Sequence, residues 1–201
     1  MRLFVAIDLP VEVRRALGDL IAELRQQSPE ARWVRPEGMH ITLKFLGHVS
    51  DQGNAPKLGA IRAALATVCS SDPVDMQFRS VGFFPDARRP RVVWCGIDAS
   101  PNLVQLAADI DRALEPLGFP PEDRAFVPHL TLARLNASRG PGKNARASSG
   151  GAGLVRAAEE RKSREFGSAR ETEFHLYESI LRPSGAEYRK LETYPFVKGT
   201  A

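Results

Sequence analysis

Residues 39–47 read MHITLKFLG and residues 125–135 read AFVPHLTLARL. In the first stretch Ile41, Leu43 and Phe45 alternate with His40, Thr42 and Lys44, and in the second Leu130 and Leu132 alternate with His129 and Thr131. A period of two marks strands with one buried face. The same His-x-Thr-Leu run, met twice at a wide separation, suggests that the chain is built from two similar halves. Before the first run come RLFVAID (2–8), which is β-prone, and VEVRRALGDLIAELRQQ (11–27), whose apolar residues recur near i, i+3, i+4 and i+7 as on a helix. RWVR (32–35) and a Pro-Glu-Gly turn (36–38) then lead into the strand. After it, a helix is predicted across 57–69. The strands 74–84 and 91–98, joined through 85–90, form a long hairpin. A third helix is predicted with Ser100 as N-cap and Pro101 at its first position, running to about Leu117 before Gly118. The second His-x-Thr strand follows at 125–135, and the tail adds strands at 174–182 and 188–196.

Helices between mostly antiparallel strands predict an α+β fold: two similar lobes of sheet with flanking helices and an active-site cleft between them, in a single bilobal domain over 1–201. Residues 138–153 (SRGPGKNARASSGGAG) offer almost no apolar side chain large enough to bury, and are expected to be a flexible loop ahead of a further helix.

The 201 residues are 43% hydrophobic and 26% charged, ordinary proportions for a globular chain with a sizeable core. No run approaches the roughly 18 apolar residues of a membrane span, and the opening MRLFVAID turns polar too soon for a signal peptide, so no membrane association and a cytoplasmic location are expected. The two cysteines, Cys69 and Cys95, make neither a disulfide framework nor a CxxC pattern, and are expected to be buried, unreactive thiols. A formal net charge of +4 favours an anionic partner without identifying one.

On a strand each His shares its face with the Thr two residues on, so both motifs present one titratable ring beside one hydroxyl. Displacement at a phosphodiester needs a base for the attacking oxygen and an acid for the departing one, on opposite sides of phosphorus. Two imidazoles, with an ordinary pKa near 6.5, can divide those roles around neutral pH. The threonine hydroxyls would bind the non-bridging oxygens and a cation would offset their charge. Arg134, five residues beyond His129, is the leading candidate, but strict alternation puts it on the opposite face, and a bulge, or the chain leaving the strand, would be needed to turn it inward. Arg124 and Lys44 are weaker candidates for phosphate contact. His48 and His175 lack a Thr partner and are read as structural. Zinc is disfavoured because these strands offer no His-x-x-x-His, cysteine or adjacent carboxylate, and no Gly-x-Ser-x-Gly elbow points to a serine nucleophile. No metal or cofactor is expected.

Over nearly its whole length the chain resembles the 2H phosphoesterases, and within them the RNA 2',3'-cyclic phosphodiesterases once called 2'-5' RNA ligases. RLFVAIDLP, HITLKFLG, RVVWCGI, FVPHLTLAR and FHLYES carry the resemblance. It implies hydrolysis of a terminal 2',3'-cyclic phosphate to a 2'-phosphomonoester, with His40 donating a proton to the leaving 3'-oxygen and His129 activating water. Beside the phosphate contacts read above for Thr42 and Thr131, it implies that Arg134 contacts phosphate and that Phe45 stacks on the terminal base, where spacing alone would have put Phe45 in the core. The expected partner is RNA with a 2',3'-cyclic phosphate end, or a related nucleotide, bound by a monomer. The 138–153 segment departs from compact relatives, and a basic flap over the RNA backbone is the alternative to a solvated linker. A small-nucleotide cyclic phosphodiesterase, reversible 2'-5' ligation, an RNA-binding module without turnover and a protein-interaction scaffold remain as alternatives.

Overall fold

The first strand, β1 (Arg2–Ile7), is apolar at every position after Arg2 and buried on both faces. In the computed structural model, which describes residues 1–49, 55–70, 72–122, 125–135, 149–182 and 185–196, it is an inner strand of a four-stranded sheet. Its neighbours are β3 (Ile41–His48) and β8 (Glu173–Arg182), and β8 carries the edge strand β9 (Gly185–Pro195), in the order β3-β1-β8-β9. A second sheet orders β2 (Arg32–Trp33), β6 (His129–Arg134), β5 (Val92–Ala99), β4 (Val74–Phe84) and β7 (Glu165–Glu171) as β2-β6-β5-β4-β7. The strand pairs of both sheets are antiparallel. With helices α1 (Val11–Arg25), α2 (Ala55–Leu65), α3 (Asn102–Leu114) and α4 (Ser149–Glu159) the fold is α+β, as expected.

The internal repeat is visible in the connections. β1, α1 and β3 form one strand–helix–strand unit, β5, α3 and β6 form the other, and in each the returning strand pairs antiparallel with the first and has the His-x-Thr motif at its start, with His40 immediately before β3 and His129 opening β6. The halves are stitched together ahead of the first motif: β2 pairs with β6, and the Val34 amide donates to the Leu132 carbonyl at 2.8 Å. The chain entering His40 is thereby anchored on the strand that carries His129.

One core fills the helix side of both sheets. Leu17, Leu20 and Leu24 of α1 and Leu103, Leu106 and Ile110 of α3 pack with Leu3, Val5, Ile7, Val93, Cys95, Leu130 and Leu132. On its other face β1 contributes to a small separate cluster, Phe4, Ala6 and Tyr177.

Several expectations need correction. β6 begins at His129, not at 125, because Pro128 has no amide to give a ladder. β7 was not anticipated: of its seven residues only Phe166 and Ala169 are buried, so an edge strand of charged and small residues shows little alternation. Residues 149–153 begin α4, while 138–148 lie outside the described residues, as does Arg124. Leu154 and Ala158, fully buried, hold that helix in the core, and a Cβ on Gly153 would meet Gln27 Oε1 at 2.8 Å, so its glycine allows a close approach to the chain after α1. Ser100 does not cap α3; its hydroxyl donates to Asn102 Oδ1 and accepts from the Asp75 amide, tying the helix entry to β4. Cys69 lies beyond the end of α2 and is exposed, whereas Cys95 is buried and its thiol is pushed up to about 12 by that burial. Among the described residues no helix is long and apolar enough to cross a membrane.

Candidate active site

Strict alternation fails in both motifs at the same place. Along β3, Ile41 and Thr42 pair with Ile7 and Ala6, but Lys44 pairs with Val5 and Phe45 with Phe4, so Leu43 is an extra residue. Along β6, His129, Leu130 and Thr131 pair with Gly96, Cys95 and Trp94, but Ala133 pairs with Val93 and Arg134 with Val92, so Leu132 is extra. Each bulge reverses the facing of the residues beyond it on the strand. Lys44 and Ala133 turn into the core, and Phe45 and Arg134 turn onto the faces of Thr42 and Thr131, away from the helices.

This register decides most of the candidates. Phe45 is 60% exposed rather than buried, and Arg134 is exposed on the His129 side. Thr42 and Thr131 are half-buried beside their histidines. Lys44 is lost as a phosphate contact: it is 3% exposed, ion-pairs with Asp111 of α3, and donates to the Pro120 carbonyl at 2.7 Å. His48 is exposed opposite Arg2. His175 is buried; Lys190 Nζ donates to its Nε2 at 3.2 Å, and its Nδ1 lies 3.0 Å from Thr193 Oγ1. An ammonium can only donate, so Nε2 accepts and Nδ1 carries the proton.

The two motif histidines are held alike. His40 Nδ1 lies 2.9 Å from the Gly38 carbonyl and His129 Nδ1 lies 2.8 Å from the Val127 carbonyl, in each case two residues upstream. A carbonyl has no proton to give, so both Nδ1 atoms donate, and Nε2 is left as the nitrogen that can take up or release a proton. Burial is the largest influence on His40 and pushes its pKa below the ordinary value, against the Gly38 carbonyl and the negative charge of Asp8.

Aromatic rings surround both imidazoles. His40 lies 4.6 Å from the Phe4 ring and meets Tyr188 edge-on at 4.9 Å. Tyr177 stacks on Phe4 at 5.3 Å and donates its hydroxyl to Asp8, which also pairs with Lys190 at 2.8 Å. On the other sheet His129 meets Phe84 edge-on at 5.0 Å, and Phe84 packs on Trp94 at 5.3 Å. Electrostatics connect the two sheets at this point: burial pushes the Tyr188 phenol up, while the positive charges of Arg134 and Arg2 act against it. The sequence reading missed Phe4, Tyr177, Tyr188 and Phe84. For Phe4 a signal existed, since a strand apolar at consecutive positions is covered on both sides.

The indole of Trp94 lies flat over Gly82, where a Cβ would fall 2.2 Å from the ring. Gly82→Ala is therefore expected to drive Trp94 off its seat beneath Phe84, lowering stability by about 1–3 kcal/mol, the usual cost of overpacking. A midpoint in urea unchanged from wild type would contradict this packing.

Among the described residues no group of three or more His, Cys, Asp or Glu side chains is gathered as a metal site. The arrangement offers instead two half-buried rings with open Nε2 atoms, two hydroxyls, one guanidinium and one exposed phenyl.

Comparison with known proteins shows the family. Residues 7–94 and 97–188 match the family model described as LigT like phosphoesterase. The chain is 36% identical to the RNA 2',3'-cyclic phosphodiesterase of Archaeoglobus fulgidus, over 96% of this chain and 99% of that protein. It is 31% identical to the enzyme of the same name from Methanothermobacter thermautotrophicus, over 96% of this chain and 98% of the other. Among solved structures it resembles E. coli LigT complexed with 3'-AMP, with a TM-score of 0.70 and 29% identity over 98% of both chains.

Proposed function

Since this chain belongs to the LigT-like phosphoesterase family, we propose that it hydrolyses RNA-terminal 2',3'-cyclic phosphates to 2'-phosphomonoesters with His40 and His129 as its acid and base. The observation that carries this reading is the matched setting of the two rings: each donates Nδ1–H to a carbonyl two residues back and keeps Nε2 open, on bulged strands that repeat each other.

His129 takes the proton of the attacking water, and protonated His40 gives its Nε2 proton to the departing 3'-oxygen. The P–O3' bond breaks as the new P–O bond forms, leaving the phosphate on the 2'-oxygen. Thr42 and Thr131 donate to the non-bridging oxygens, and Arg134 offsets their charge. Phe45, exposed at the position its bulge creates, stacks on the terminal base, a contact that any base can make. The cleft between the two sheets would hold the phosphate, in one bilobal domain acting as a cytoplasmic monomer without metal or cofactor. Support for a cleft comes from Tyr188, which touches His40 and lies in the field of Arg134.

The test is turnover of a short RNA ending in a 2',3'-cyclic phosphate, in excess EDTA, with the product isomer identified. Wild type is expected to release the 2'-phosphate, and Arg134→Ala to lower kcat/KM by about 10²-fold, the scale of one lost donor to a developing charge. Binding of the RNA without turnover would overturn the reading in favour of a non-catalytic module.

A further inference from the structure

Tyr188 enters the site from the far edge of its sheet. It sits on β9, paired with Ser179 of β8, which pairs in turn with Arg2 of β1. From that register the phenol ring reaches Phe4 edge-on at 5.3 Å and His40 edge-on at 4.9 Å. The same ring reaches the turn before His40: a Cβ built on Gly38 would stand 3.2 Å from Tyr188 Cε2. Tyr188 thus packs on the His40 ring and lies close to Gly38, whose carbonyl accepts the hydrogen bond from His40 Nδ1. With 37% of its surface exposed it is no ordinary core residue, since a phenol placed only to fill the core would be covered.

We propose that Tyr188 is a positioning residue for His40: its ring edge and Phe4 clamp the imidazole so that Nδ1 stays on Gly38 and Nε2 faces the substrate. The inference rests on the reading of His40 as the acid, and it assigns the work to the ring rather than to the hydroxyl. An imidazole free to turn about its side-chain bonds would present Nε2 in the productive direction only part of the time, which lowers kcat more than it weakens binding. The charged and titratable groups around this ring are Asp8 from the end of β1, Arg2 of β1, Tyr177 of β8, Lys190 of β9 and Arg134 of β6.

The experiment compares Tyr188→Phe, Tyr188→Ala and Gly38→Ala with wild type by steady-state kinetics on the cyclic phosphate and by NMR titration of the His40 ring without substrate. Tyr188→Phe is expected to keep kcat within about twofold, and Tyr188→Ala to lose about 10–10²-fold in kcat with KM changed by less than about threefold. In Tyr188→Ala the His40 ring loses part of its cover, so its titration moves up toward that of an ordinary histidine. Gly38→Ala, whose methyl pushes on the ring, moves kcat in the same direction and serves if Tyr188→Ala melts near the assay temperature. Wild-type kcat and an unmoved titration in both alanine variants would overturn the proposal. A loss in Tyr188→Phe as large as in Tyr188→Ala would also overturn it, since the hydroxyl would then be the working part. Should wild type turn over no cyclic phosphate, the proposed function fails, and the His40 titration still decides whether Tyr188 holds the ring.

Discussion

His40→Ala and His129→Ala are each expected to lower kcat for the cyclic phosphate by about 10²–10⁴-fold, the usual worth of a positioned proton donor or acceptor. Removing both should cost little more than removing the worse of the two, because an acid and a base that act in one displacement fail as a unit. The pH dependence separates them. His40 must be protonated to act, and burial pushes its pKa below that of a free histidine, so in the unliganded protein the acid form is lost below the ordinary value of about 6.5 as pH rises. The alkaline limb of kcat/KM, which reports the free enzyme, is therefore expected below that value. A bound phosphate brings negative charge to the ring and favours its protonated form, so the limb of kcat lies at higher pH. In His40→Ala this limb should disappear from the residual rate, and in His129→Ala it should persist. Either variant retaining activity within a few-fold of wild type would remove the two-histidine mechanism, and loss of wild-type activity in EDTA would put a metal in its place.

The strands that carry the motifs were legible because alternation and a repeated His-x-Thr are short-range signals. The first helix and the facing of Ile41 and Leu130 into the core come from period, and the start of α3 from the Ser100-Pro101 pair, although Ser100 does not cap it. Period cannot show where a strand stops obeying it. The bulges at Leu43 and Leu132 depend on how β1 and β5 pair with the motif strands, and nothing in HITLKF or HLTLAR marks them locally. Spacing therefore put Arg134 and Phe45 on the faces opposite to those they occupy, while the roles that the family resemblance implies for them require the faces that the bulges create. Tyr188 was hidden for a related reason: its contact with His40 depends on how β9 pairs with β8 and β8 with β1, which no local pattern shows.

Lys44 gives the largest stability effect and tests the first bulge directly. Its side chain is 1% exposed against 22% for its partner Asp111, and its ammonium also serves the Pro120 carbonyl. Lys44→Ala removes the charge, leaves a cavity along the alkyl stem and strands a partly buried carboxylate. The expected loss is about 2–4 kcal/mol, toward the lower side of buried pairs because Asp111 keeps some contact with water. For a chain of this length that corresponds to a drop of roughly 4–16 °C in Tm. Lys44→Met keeps the stem and should cost less, and adding Asp111→Leu should recover most of the remainder, since an apolar pair of similar volume often replaces a buried ion pair without loss. The discriminating quantity is the salt dependence of RNA binding. A lysine on a phosphate would flatten the slope of log affinity against log salt when removed, by about 0.7 for a single-stranded ligand. With Lys44 turned into the core, Lys44→Met should leave that slope and KM unchanged while Tm falls. An unchanged Tm with a flattened slope would mean that β3 runs without its bulge, and Phe45 would then return to the core.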